Sequence, residues 1–142
     1  MKEQNFKNHP QFVPAYHYVA STLLLAILIG SLVNLAHSTK ESLYSASLIC
    51  ALTIVSIIIW FYMRVFALKV QDRAIRAEEN FRHFILTGKP FDKSLHLSQI
   101  IALRFASDEE FVQLAKRAVD ENLTNKQIKQ SVQHWRADHH RA

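Results

Sequence analysis

The residue types best suited to chemistry in this chain are its eight histidines and its one cysteine. His134 and Asp138 stand i,i+4, with His139 and His140 beside them. On a helix that spacing stacks two side chains on one face, where they could share a metal ion. The simpler reading is a polar helix end that frays into solvent. His9 and His17 flank Pro10 and Pro14 ahead of an apolar stretch. That placement offers either a pH- or metal-sensitive element or ordinary interfacial histidines. Cys50 is alone, which excludes an intramolecular disulfide and a cysteine-based metal cluster. No H-x-x-x-H helix motif, no Gly-rich phosphate loop and no readable Ser-His-Asp arrangement is present. From the residues alone we assign no catalytic residue, no cofactor and no metal ligand.

The elements around these residues explain why. Ser42–Met63 carries no charge, no Gly and no Pro. A helix of that length crosses the ~30 Å hydrocarbon core of a bilayer at ~1.5 Å rise per residue. A second apolar run, 18–36, precedes it. It is longer than a signal-peptide core, and Ala36-His37-Ser38 makes a poor cleavage site, so an uncleaved span is expected. The connector 37–42 is short, which joins antiparallel neighbours. The fold class expected is therefore all-α: a two-helix transmembrane hairpin, the second helix extended into the cytosol, then about three short helices.

Charge orients the hairpin. Arg64, Lys69, Arg73, Arg76 and Arg82 follow the second span, while the connector carries only Lys40 as a cation. Positive charge favours the cytoplasmic side, so both termini are expected there. Neither span contains Asp, Glu, Lys or Arg, which argues against an ion or proton path. Ala26 and Gly30 form a small-xxx-small pair, which fits packing within the hairpin or against another span. The net charge of +5 sits on a mixed surface, which suits a domain beside anionic lipid better than a nucleic-acid stripe.

Nothing stops the second helix at the membrane edge. Gly88 occupies a capping position and Pro90 follows, so one helix is expected over 43–87. Val70, Ala74, Ala77, Phe81 and Phe84 recur at spacings of four and three. This stripe reads either as a docking face for the downstream helices or as a parallel coiled-coil seam, and it is the candidate partner-contact face. Asp72–Arg76 and Glu78–Arg82 read as i,i+4 ion pairs.

After a linker over 88–97, the segment 98–142 reads as a helical cytosolic domain. Ser98 can cap a helix over 99–106. Ser107 and Glu110 form a capping box for a helix over 108–122, and Thr124 and Gln127 another for a helix over 125–139. Phe111, Leu114, Ala115, Ala118 and Val119 share one face, as do Ile128, Val132 and Trp135 on the last helix. Arg104 and Asp108 form a candidate structural pair across the first junction. The acidic run Asp108-Glu109-Glu110 suits a helix N-terminus. The last two helices also outline a helix-turn-helix about Asn122-Leu123-Thr124, with Lys126, Lys129 and Gln133 on the second helix. Asp120, Glu121 and Asp138 dilute its positive field.

N-F-K-N-H at Asn5–His9, Q-D-R-A-I-R at Gln71–Arg76, L-T-G-K at Leu86–Lys89 and A-L-R-F-A-S-D-E-E at Ala102–Glu110 resemble an uncharacterised family of small two-span bacterial membrane proteins. The likeness extends to Ile128, Lys129, Trp135 and Asp138. The resemblance implies this fold and topology, in a bacterial inner membrane, but no activity, ligand or catalytic residue. The resulting expectation is a non-enzymatic membrane-anchored interaction or scaffold protein, or an accessory subunit of a larger complex. Its expected partners are membrane lipid and a second copy or another membrane protein. The alternative is a membrane-tethered nucleic-acid-binding or regulatory module.

Overall fold

The computed structural model describes residues 4–6, 8 and 12–138. Among these, all elements are helical. A π-helical turn, Ala15–Ala20, runs into α1 (Ser21–Ala36), followed by α2 (Leu43–Thr87), α3 (Leu97–Leu103), α4 (Asp108–Asp120) and α5 (Asn125–Ser131). The chain divides into two units, Phe12–Ala67 and a second made of Met1–Gln11 with Leu68–Ala142. α2 contributes to both.

In the first unit, two helices are long and apolar enough to cross a membrane: Ala15–Ala36, with mean hydropathy 2.2, and Leu43–Thr87, whose most apolar window reaches 2.3. The first begins three residues before the expected start, because the π-helical turn extends it. Ser31 on α1 and Ala46, Cys50 and Thr53 on α2 are the buried residues of this unit. In a unit of two helices a side chain is buried only against the other helix, so these small residues mark the seam. Ala46, Cys50 and Thr53 follow the four-three spacing of a helix-packing ridge. The Ser31 hydroxyl donates to the Leu28 carbonyl at 2.9 Å and the Thr53 hydroxyl to the Ile49 carbonyl at 2.8 Å. Each polar group is thus satisfied within its own helix, as an apolar setting requires. Tyr16 stacks on Trp60, with ring centroids 5.1 Å apart, and its hydroxyl donates to the Trp60 carbonyl.

Ala26 and Gly30 are exposed, and a Cβ added at Gly30 would meet nothing within 4 Å. Of the two readings of this pair, packing within the hairpin is therefore corrected. The small residues that close it are Ser31 on α1 and Ala46 and Cys50 on α2.

In the second unit, α2 ends as the sequence implies. Gly88 adopts φ 72° and its N–H donates to the Phe84 carbonyl at 2.8 Å. The left-handed residue satisfies a terminal carbonyl that would otherwise lack a partner. The chain then turns back, and the Phe91 N–H donates to Asn80 Oδ1 at 2.9 Å. α3 packs against both α4 and α5. The core holds Phe91, Ile100, Leu103, Phe111, Leu114, Ala118 and Ile128, with Leu95, Val112, Leu123 and Trp135 packed around it. Gln99 is a buried polar node. Its Oε1 accepts from the His96 N–H at 2.8 Å and its Nε2 donates to the Leu123 carbonyl at 2.9 Å. The cap of α3 is thus His96 with Gln99, not Ser98, and the helix ends three residues short of Ala106.

Two further expectations change here. Ser107 precedes α4, but its hydroxyl makes no capping bond and Glu110 does not reach back to it. The Thr124–Gln127 box is formed as expected. The last helix stops at Ser131, and Val132 is already extended. The chain beyond it pairs antiparallel with the α3–α4 junction through a bridge between Ala106 and Trp135. The Arg136 N–H donates to the Phe105 carbonyl at 2.7 Å and the Ser107 N–H to the His134 carbonyl at 3.1 Å. Trp135 is half-buried against Phe105, with centroids 4.9 Å apart, from this extended segment and not from a helix face shared with Ile128 and Val132.

Candidate functional site

The densest group of interacting charges in the tail unit is built around Arg82 on α2. Its Nη1 donates to Glu79 Oε2 at 3.0 Å, its Nε to Asp108 Oδ1 at 2.6 Å and its Nη2 to the Ala106 carbonyl at 2.8 Å. The guanidinium also lies 4.1 Å from the centroid of the Phe111 ring. One planar cation thus joins two carboxylates, a backbone acceptor and an aromatic face, which suits Arg and not Lys. The Glu79 side chain is only 8 % exposed, and Arg136 approaches its other oxygen at 3.6 Å. A groove of about 440 Å³ adjoins this group, lined by Glu78, Phe81, Ile85 and Leu86 together with Arg82 and Arg136. Every donor of Arg82 on this side already has an acceptor. The cluster therefore acts as a clasp that binds α2 to the α3–α4 junction.

The expected ion pairs are rearranged accordingly. Arg82 turns to Glu79 and Asp108, so the Glu78–Arg82 pair is not formed, and among the described residues no ion pair joins Asp72 to Arg76. The Arg104–Asp108 pair is likewise replaced. Arg104 Nε lies 3.4 Å from Asp138 Oδ2, while Asp108 is taken by Arg82. Arg104 points into the space that the returning C-terminal segment fills, and Asp108 points towards α2.

α2 meets the tail through Glu79, Arg82, Asn80 and His83, which contact Arg136, Asp108 and Phe91, and Ile75 on the same side of the helix is buried. The apolar stripe is on the other side. Val70, Ala74, Ala77, Phe81 and Phe84 are all exposed. At ~100° per residue, Ala74 and Glu79 project to nearly opposite sides of the helix. The docking reading of the stripe is thus corrected: the docking face is the polar Ile75–Glu79–Arg82 side. Sequence reasoning missed it because a stripe of mixed charge gives no apolar period. The pair Glu79 and Arg82 at i,i+3 was the available signal.

Among the described residues the histidine candidates do not come together as a metal site. His134 lies in the extended segment, where its N–H donates to Glu110 Oε1 at 3.0 Å, and Asp138 faces Arg104. Without the helix, the i,i+4 geometry is lost. His9, His139 and His140 lie outside the described residues, and among the described residues no group of three or more metal-ligating side chains occurs. His17 is half-buried, and the Val13 N–H donates to its Nδ1 at 3.1 Å. The second helix of the helix-turn-helix outline has only seven residues, and Gln133 lies beyond it. Lys129 is directed to the Phe105 ring at 5.6 Å.

A second groove, also about 440 Å³, lies beside His83, Phe91, Leu95 and Val112. At its rim, Asp92 accepts from the Ser94 N–H at 2.8 Å and from the Ser94 hydroxyl at 2.7 Å. The backbone bond first, and then the hydroxyl, hold the Asp92 carboxyl below its ordinary value. At the end of α4, the Arg117 hydrogen bonds lower the carboxyl of Glu121, the residue that follows the helix.

Neither a curated protein nor a solved structure matches the chain. A model of a family of unknown function (DUF6526) matches residues 1–142, and the chain belongs to that family.

Proposed function

We propose that this member of the family is a membrane-anchored interaction protein of the bacterial cytoplasmic membrane. The unit Phe12–Ala67 is the anchor, with both termini in the cytoplasm, and the tail is a scaffold or accessory module for a membrane complex. It carries out no chemistry of its own. One observation carries the reading. The apolar side chains of the two long helices point outward almost all round: Leu25 is 58 % exposed, Leu52 67 % and Ile59 59 %. An exposed apolar surface of this extent is far larger than a water-soluble monomer carries. The residues turned inward are instead small or polar, the inverse of a soluble core and the pattern of packed spans. The aromatic pair Tyr16 and Trp60 supports an interfacial position at one end.

The test combines extraction with labelling. In native membranes the chain should resist carbonate extraction. In a Cys50→Ser background, a membrane-impermeant thiol reagent added outside should label Ser38→Cys and spare Gln130→Cys. Carbonate release, or external labelling of the Gln130 site, refutes the reading.

A further inference from the structure

We propose that the exposed face of α2 is a parallel two-stranded seam that receives the same face of a second copy of this chain. The inference rests on the membrane-anchored reading above, because the anchor dictates the direction. Two copies inserted the same way bring their α2 helices out of the membrane side by side and parallel. In that arrangement equivalent residues meet at the same height about a two-fold axis.

The face has the pattern such a seam requires. Val70, Ala74, Ala77, Phe81 and Phe84 are spaced four, three, four and three, which are d, a, d, a and d of a heptad. All five are exposed, and the clasp that holds the tail is on the opposite side of the helix; among the described residues, only Phe81 of the five borders the groove beside Arg136. Ala74 and Ala77 occupy the centre, where small side chains let two backbones approach.

Charge identifies the occupant. In this register Arg73 is a g position and Glu78 the e position five residues later. In a parallel dimer these are the two that meet across the seam. Each copy would therefore offer a cation where its partner offers an anion, twice by symmetry. Both side chains are exposed, and among the described residues neither makes an ion pair within its own chain. The pairs that the chain makes for its own tail use Glu79, Arg82 and Asp108, and leave this rung available. Two heptads make a short seam. Confinement of both copies to one membrane supplies the effective concentration that such a seam lacks in solution.

The experiment is oxidative disulfide cross-linking of the full chain in native membrane vesicles, in a Cys50→Ser background. Ala74→Cys and Ala77→Cys should give covalent homodimers, and Arg76→Cys, on the flank towards the tail side, should not. In the Ala74→Cys chain, Arg73→Glu should lower the dimer yield by about tenfold, since two rungs change from attraction to repulsion. Adding Glu78→Arg should restore it. Equal yields from Ala74→Cys and Arg76→Cys, or no rescue by the double exchange, overturn the inference. If the chain is membrane-inserted with the expected labelling and the seam fails these tests, only the homodimer falls and the anchored reading stands. If carbonate releases the chain, the anchored reading falls and the inference falls with it.

Discussion

Arg82 Nε donates to Asp108 Oδ1 at 2.6 Å, across 26 residues of sequence and between two different helices. The two ends of this bond differ in burial. The Arg82 side chain is 11 % exposed and the Asp108 side chain 67 %. Removing Arg82 strands Glu79 in a buried position, with only Arg136 nearby. Arg82→Ala should therefore cost the tail about 3–5 kcal/mol. Asp108→Asn removes only the solvated partner and should cost about 1 kcal/mol or less. Limited proteolysis of membranes carrying each variant should show early cleavage of the tail in the first and near wild-type resistance in the second.

Trp135 and Phe105 are in contact but are not equivalent. Phe105 is fully buried, whereas Trp135 keeps one side open to solvent. Phe105→Ala should cost about 3–5 kcal/mol. Trp135→Ala should cost roughly half of that, since only part of its surface is removed from water. Denaturant midpoints of the detergent-solubilised chain, read by circular dichroism, should order them wild type, Trp135→Ala, Phe105→Ala.

Glu110 holds the returning segment. Its two oxygens accept from the Gln133 and His134 N–H groups, each at 3.0 Å. Bonds to a charged acceptor are worth roughly 1.5–3 kcal/mol each at most, less where solvent competes. Glu110→Ala should release residues 132–138 while leaving α4 helical. Hydrogen exchange should show faster exchange at Gln133 and His134 and unchanged protection at Leu114 and Ala118. Slowed or unaltered exchange at the first two would contradict this arrangement.

Asp92 supplies a pH-dependent contribution whose sign is fixed by its depressed carboxyl. The contribution is fully present above its ordinary value of 3.8 and is lost as the pH falls through the lower native value. An NMR titration of the full chain should place the Asp92 midpoint below 3.8. Ser94→Ala should move the midpoint upward part of the way, because the backbone N–H remains.

Much of the secondary structure was legible because its signals are local. The lack of Gly and Pro across 43–87, followed by Gly88 and Pro90, determined that α2 runs on unbroken and where it stops. Glycine alone takes φ 72° there without the penalty that a Cβ brings. The Thr124–Gln127 box and the apolar period of Phe111, Leu114, Ala115 and Ala118 determined the start of α5 and the inner face of α4. What spacing could not determine is which distant group each polar side chain meets. Glu110 had a cap to make three residues away, but two unpaired N–H groups of the C-terminal segment took both its oxygens. Those bonds, with the Phe105 carbonyl on the Arg136 N–H, outweigh two further turns of helix, and the end of the chain is extended as a result. The side of α2 that docks was decided in the same way. Burial of Glu79 and Arg82 becomes favourable only when Asp108 and the Ala106 carbonyl arrive to complete the clasp, and that choice left the apolar stripe facing outward.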